Sequence, residues 1–76
     1  MNTNTLLTLF VQSVERQEKA TAAIERVLRG DDHDMDNLHS ATLDYITETR
    51  IQDKLEDMYY TATDGVPIRE DAELWR

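Results

Sequence analysis

The residue types that could bind a metal ion are concentrated in one acidic run in the middle of the chain. The run contains Asp31, Asp32, His33, Asp34, Asp36 and His39. The alternate aspartates at 32, 34 and 36 imitate the opening of a calcium-binding loop. Such a loop requires glycine at its sixth position and glutamate at its twelfth, where this sequence has Asn37 and Leu43. The run therefore does not predict a calcium site.

Zinc binding and catalysis also lack their usual residues. The two histidines do not complete a good zinc ligand set with the nearby carboxylates, and the chain contains no cysteine. The sequence signals no nucleophile paired with a base, no paired carboxylates in a cleft and no glycine-rich phosphate loop. We expect no enzymatic activity, no catalytic residues and no bound cofactor or metal. The acidic run is interpreted as a cap that solvates the start of a helix.

The charge of the chain restricts its partners. Sixteen acidic residues oppose eight basic ones, which leaves a formal net charge of −8. This charge repels nucleic-acid phosphates and anionic membrane surfaces, so we expect no direct binding to either. Two uses of the charge remain beside simple solubility: contact with a basic surface on another protein, or carboxylates that stand where DNA phosphates would.

The N-terminal segment does not have the pattern expected of a targeting signal. Residues 1–14 have no positively charged start, and their apolar residues are interrupted by Thr8, Gln12 and Ser13. This pattern predicts neither a signal peptide nor a membrane span. We expect a cytoplasmic protein.

Glycine and proline positions divide the chain into two long helices. Gly30 and Gly65 each follow a long stretch without helix breakers and are typical of helix C-caps, and Pro67 cannot continue the second helix. We predict a single all-α domain over residues 1–76: helix 1 at about 4–29, an acidic loop at 30–36, helix 2 at about 37–63 and a tail at 64–76. Asp34 or Asp36 is the expected N-cap of helix 2. Two helices of matched length joined by a short loop fold back antiparallel, and the tail adds at most a short helical turn.

Helix 1 carries an uncharged heptad stripe. Its a and d positions are Leu7, Phe10, Val14, Gln17, Thr21, Ile24 and Leu28. The neighbouring g positions are Leu6, Ser13, Ala20 and Val27. Small side chains at Ser13 and Ala20 allow close approach of another backbone, and Gln17 and Thr21 either set the register or face a wet bundle centre.

The length of the chain favours self-association. A domain of 76 residues buries a modest core, and the absence of cysteine removes disulfides and thiolate zinc sites as reinforcement. Oligomerisation is the remaining way to stabilise such a small core. We predict a homodimer in which the heptad stripe of helix 1 joins two hairpins into a four-helix bundle.

Helix 2 has two apolar groups that point in different directions. The first is Met35, Leu38, Tyr45 and Ile46, and the second is Ile51, Leu55, Met58 and Ala62. At about 100° per residue the two groups are offset by over a quarter turn, so the helix either bends near residues 47–49 or serves two interfaces. One interface would close the hairpin and the other would meet a second chain.

Aromatic residues near the C-terminus add interface candidates. Tyr59 and Tyr60 cannot both face one core, so at least one is expected to be exposed or covered by the tail. Trp75 either packs on the bundle with Val66 and Ile68 or remains free for a partner.

These features together predict a non-enzymatic protein–protein interaction module. In size, acidity and hairpin layout the chain resembles dimeric four-helix-bundle regulators, helical-hairpin secretion co-chaperones, and inhibitors of host proteins encoded by phages or mobile elements. The inhibitor class is favoured, because an acidic protein with a small core suits the occlusion of a basic surface on a larger protein. The alternatives are a co-chaperone, a DNA mimic or, less favoured, a structural assembly subunit. The candidate partner-binding residues are Asp44, Glu48, Asp53, Glu56, Asp57 and Tyr60.

Overall fold

The chain folds into three α-helices. A computed structural model describes residues 2–30 and 33–75, and these contain α1 (Thr3–Leu28), α2 (Met35–Ala62), α3 (Ile68–Trp75) and no β-strand. The longest dimension is 46 Å. Leu6 near the start of α1 lines a pocket with Met58 near the end of α2, whereas Ala20 lines one with Ala41 near the start of α2, so the two helices run antiparallel. The all-α prediction is confirmed, and the bounds of the long helices differ from the expected ones by at most two residues.

Short polar side chains and glycine define the ends of the two long helices. Asn2 caps α1 by accepting a hydrogen bond from the main-chain N–H of Asn4 at 2.7 Å. Asp34 caps α2 in the same way, through the N–H groups of Asp36 and Asn37. Gly30 follows α1 at a φ of +82°, the left-handed conformation that favours glycine after a helix. Asp34 as N-cap and Gly30 after the C-cap confirm two of the local predictions.

The tail forms a helix that packs on the other two. The chain turns after α2 through Asp64 and Gly65, both with positive φ, and Pro67 directly precedes α3. α3 is eight residues long, which is two turns rather than the short turn expected from the sequence. Ile68 and Ala72 lie one turn apart on its inner side and are both buried, so α3 is amphipathic.

The apolar core lies at one end of the molecule, which we call the core end: residues 3–14, 55–62 and α3. Its buried members are Leu6, Leu7, Phe10, Leu55, Tyr59, Ile68 and Ala72, with Val11, Val14 and Val66 packed against them. The opposite end, residues 20–30 and 33–46, is called the loop end. Within its described residues only Ala20 and Ala41 are buried. Among all described residues, no helix is both long and apolar enough to cross a membrane.

Candidate functional site

The centre of the hairpin is polar rather than apolar. Ser13 of α1 and Glu48 of α2 are both buried, and the Ser13 hydroxyl donates to the Glu48 carboxylate at 2.5 Å. The same hydroxyl lies 3.3 Å from the main-chain oxygen of Glu48. The small serine therefore allows the close approach of α2 that the heptad pattern predicted, and it also satisfies a buried charge.

Arg16 completes the charge balance of this centre. Its Nε donates to Glu48 Oε1 at 2.7 Å and its Nη2 donates to Oε2 at 3.2 Å, a two-point contact between guanidinium and carboxylate. The hydrogen bond from Arg16 lowers the pKa of Glu48 from its usual value, helped by Ser13 and opposed by burial. The same contact raises the pKa of Arg16. Because a carboxylate with a lowered pKa is a weak base, the pair Ser13 and Glu48 is poorly suited to activate a nucleophile.

Two glutamines extend the polar centre along the hairpin. Gln52 Nε2 donates to Gln17 Oε1 at 3.0 Å and to the Ser13 hydroxyl at 3.3 Å. Gln17 in turn donates to the Thr49 hydroxyl at 2.8 Å. Apolar contacts tolerate sliding, whereas these pairs are satisfied in one register only. Gln17 thus contacts two residues of α2, and its role in setting the register stays a prediction. The Thr21 hydroxyl donates to the Gln17 carbonyl of its own helix.

The inner face of α2 differs from the one predicted. The residues buried on this helix are Ala41, Glu48, Gln52, Leu55 and Tyr59, which follow a heptad. Of the two predicted apolar groups, only Leu55 is buried and Leu38 is half-buried, while the other six residues are exposed. The helix runs without interruption through residues 47–49. The seam of α2 was missed because two of its central positions are polar; a heptad search that admitted Glu48 and Gln52 would have found it.

The exposed residues of α2 combine apolar and acidic side chains. Met35 and Leu43 are 65% and 51% exposed, and Tyr45 and Ile46 are exposed as well. We call the exposed side of α2 that lies opposite the seam the outer face, comprising residues Met35, Leu43, Ile46, Asp53, Asp57 and Tyr60. Aromatic and aliphatic side chains amid charge are the composition that protein interfaces favour.

The structure separates the six candidate partner-binding residues. Asp44, Asp53, Asp57 and Tyr60 are exposed. Glu48 is not at the surface, contrary to the sequence-based placement, because Ser13 and Arg16 hold its carboxylate between the long helices. Glu56 is half-buried, and its Oε1 lies 2.7 Å from Arg69 Nη2 of α3, an ion pair rather than an aligned hydrogen bond.

The stripe of α1 is turned by about one position relative to the prediction. Its most deeply buried members beyond Leu7 and Phe10 are the g-position residues Leu6, Ser13 and Ala20. The predicted positions Val14, Gln17, Thr21 and Ile24 are half-buried, and Leu28 is 77% exposed. The stripe packs against both α2 and α3 of the same chain, so its buried side lies between these two helices. Use of this seam between two copies stays a prediction.

The negative charge is unevenly distributed. α1 has three acidic and three basic residues, whereas α2 has six acidic and two basic ones and α3 has three and one. Within the described residues, Glu48 and Glu56 are paired with arginine, while Asp44, Asp53 and Asp57 have no hydrogen bond or ion pair. The excess of negative charge therefore lies on α2 and α3.

The acidic run lies only partly within the described residues. Asp31 and Asp32 fall outside them, and His33, Asp34, Asp36 and His39 are exposed. In residues 2–30 and 33–75, no group of three or more histidine, aspartate or glutamate side chains converges on a metal position. Asp34 acts as the N-cap of α2, as described above.

Comparison with protein-family models, with curated proteins and with solved structures finds no match to this chain.

Proposed function

We propose that this chain is a non-enzymatic interaction module that binds a basic surface of a larger protein through the outer face of α2. One observation carries the proposal: α2 places charged and amide side chains inside the hairpin and leaves apolar and acidic side chains outside. Folding of the hairpin alone would favour the reverse arrangement.

The energetic argument concerns the exposed apolar residues. Full burial of a leucine, isoleucine or methionine side chain contributes about 1.5–3 kcal/mol. Met35, Leu43 and Ile46 leave much of that contribution unused in the isolated chain. A partner that covers them recovers it on binding.

The electrostatic argument concerns the aspartates beside those residues. Asp53 and Asp57 are exposed on the same side of α2 as Ile46 and are without internal partners among the described residues. Rim charges of one sign accelerate encounter with a surface of opposite sign and disfavour other partners. Tyr60, 58% exposed, supplies an aromatic anchor near them. An inhibitor that occludes a basic surface on its target needs this combination.

Affinity capture with a charge-reversed variant tests the proposal. Wild-type protein, the Asp53→Lys/Asp57→Lys double variant and a control double variant, Glu15→Lys/Glu70→Lys, whose two residues are exposed outside the outer face of α2, are used as baits in cell lysates at rising salt. We expect one basic protein to bind the wild type and the control, to be lost from the double variant, and to be released by salt. Equal recovery on all three baits, or recovery unaffected by salt, would contradict the proposal.

Competition separates the occlusion of a protein surface from DNA mimicry. Duplex DNA added to the captured complex displaces a DNA mimic, because both occupy the same phosphate-binding surface.

A co-chaperone is recognised by a different behaviour, since it is unstable alone and becomes stable with its client. The sedimentation mass of the isolated chain across a concentration series tests the predicted homodimer in the same samples.

A further inference from the structure

The packing of α3 shows which kind of helix binds in the groove between α1 and α2. Ile68, with no exposed surface, and Ala72 enter this groove one helical turn apart. Arg69, next to Ile68, stacks over the Phe10 ring at 5.4 Å from its centroid and pairs with Glu56 on the groove rim. The groove thus binds a helix with an apolar pair one turn apart and a flanking arginine.

The groove continues past α3 toward the loop end. Val14 lines both the depression beside α3 and the next one, an open groove along α1 that Tyr45 of α2 borders and that has a volume of about 270 Å³. Glu56 and Tyr45 are eleven residues, about three turns, apart on one side of α2, so both border the same groove. We call this second part the open groove; its lining residues are Val14, Gln17, Glu18, Thr21, Ala22, Glu25 and Tyr45.

We propose that the open groove binds a basic amphipathic helix of the partner protein, in continuation of α3. The inference rests on the proposed function for the partner's basic character, and it adds a second contact site beside the outer face of α2 and the shape of the segment bound there. The open groove continues the groove in which α3 packs, and this supports a helical form for the bound segment. Tyr45, 43% exposed over this groove, supplies the apolar wall that Phe10 supplies beneath Arg69.

Charge decides between a foreign helix and a second copy of this chain. Glu18 and Glu25 line the open groove and no basic residue does. In a second copy, α2 and α3 carry an excess of acidic residues and α1 has equal numbers of acidic and basic ones, so none of its helices brings net positive charge to this rim. A helix with arginine or lysine beside its apolar positions repeats the contact of Arg69 with Glu56 instead.

Nuclear magnetic resonance of the ¹⁵N-labelled full chain tests the inference. The probe is a synthetic amphipathic peptide of ~16 residues, about 24 Å as a helix, with isoleucine and alanine one turn apart and flanking arginines. A matched peptide carries glutamate in place of arginine. We expect the basic peptide to shift the amide signals of Val14, Thr21 and Tyr45, and the acidic peptide to leave them unchanged.

Charge variants sharpen the test. Glu25→Lys on the groove rim is expected to weaken binding of the basic peptide roughly five- to tenfold, because it replaces an attraction by a repulsion. Glu15→Lys, on an exposed part of α1 outside the open groove, is the matched control and leaves the affinity unchanged. Equal effects of the two variants would overturn the assignment of the groove.

Four other outcomes would also overturn the inference while leaving the proposed function testable by affinity capture. Shifts confined to the outer face of α2 would place the peptide there and support the proposed function without the open groove. Shifts at Ile68 and Trp75 would show that the peptide displaces α3. Shifts at Val14 and Tyr45 on concentrating the protein without peptide would identify a second copy as the occupant. Absence of any shift at millimolar peptide would rule out the open groove.

Discussion

The core end and the loop end of the hairpin are built on different principles. At the core end, three helices enclose large side chains such as Phe10 and Ile68. At the loop end, two helices meet through Ala20 and Ala41, while Leu28 and Met35 remain exposed. Small side chains bring backbones together but bury little apolar area. The tertiary stability of the chain is therefore concentrated at the end where α3 packs.

The core end contributes most of the stability of the fold, whereas the loop end leaves apolar side chains available for binding. Regions with few buried apolar contacts open with a lower free energy than the core and are the ones available to ligands. The polar centre of Ser13, Glu48 and Gln52 lies where the core end borders the rest of the hairpin, and its hydrogen bonds join α1 to α2. The outer face and the open groove both include residues of the loop end, where apolar side chains are uncovered. The predictions below test this division, beginning with the largest effect.

The first prediction compares two isoleucines. Ile68→Ala at the core end removes a fully buried side chain and is expected to lower the free energy of unfolding by about 2–4 kcal/mol. Ile46→Ala at the loop end is expected to change it by less than about 0.5 kcal/mol, because the side chain is exposed. Urea denaturation followed by circular dichroism measures both. Similar losses would show that the loop end is covered in solution.

The second prediction concerns the polar centre. Glu48→Gln keeps the shape of the side chain but removes the charge that Arg16 contacts, so we expect a loss of about 1–2 kcal/mol. The loss stays moderate because Arg16 is half-exposed and remains hydrated. Glu25→Gln, exposed on α1, is the control and is expected to have little effect. A Glu48→Gln protein as stable as wild type would mean that the contact contributes nothing measurable.

The pH dependence of the same variant follows from the lowered pKa of Glu48. A carboxylate with a lower pKa in the folded than in the unfolded chain stabilises the fold above its unfolded pKa, near 4.3 for glutamate. That contribution is lost as the pH falls through the folded pKa. The difference in unfolding free energy between wild type and Glu48→Gln should therefore be constant near neutrality and shrink below about pH 4.3. A difference that grows in acid would contradict the charge pairing.

The third prediction compares adjacent tyrosines at the core end. The buried Tyr59 donates its hydroxyl to Asp71 of α3, whereas Tyr60 is exposed. Tyr59→Phe is expected to cost about 1 kcal/mol and to alter the fluorescence of Trp75 in α3, whereas Tyr60→Phe changes neither. The Asp71 carboxylate raises the pKa of Tyr59, so this stabilisation is complete below pH ~10 and is lost as the pH rises through the raised value. Identical behaviour of the two variants would contradict the attachment of α3 through Asp71.

The smallest effect is expected at the tip of the loop end. Leu28→Ala removes a side chain that is 77% exposed, and it should change the free energy of unfolding by less than about 0.5 kcal/mol. The matched substitution Leu6→Ala, at a residue 2% exposed, is expected to cost about 2–5 kcal/mol. A large, concentration-dependent loss with Leu28→Ala would show that a second copy covers this leucine, as the predicted homodimer requires.

Local features of the fold were predictable from the sequence, because they depend on residues close together in the chain. Asp34 as N-cap and Gly30 after α1 follow from backbone hydrogen bonding and from glycine's tolerance of positive φ. The opposite placement of Tyr59 and Tyr60 follows from the 100° step of a helix. The uncharged stripe of α1 was recognisable for the same reason.

Placement of the charges depended on the tertiary structure. By its residue type alone Glu48 belonged on the surface, and only the approach of Ser13 and Arg16, over thirty residues away in sequence, makes its burial tolerable. Docking of α3 likewise required the surface that Phe10 and Tyr59 form together. The sequence by itself determined where the helices begin and end, since caps and periodicity act over one or two turns. The tertiary structure decided which side of each helix faces inward, because that choice depends on what the other helices place against it.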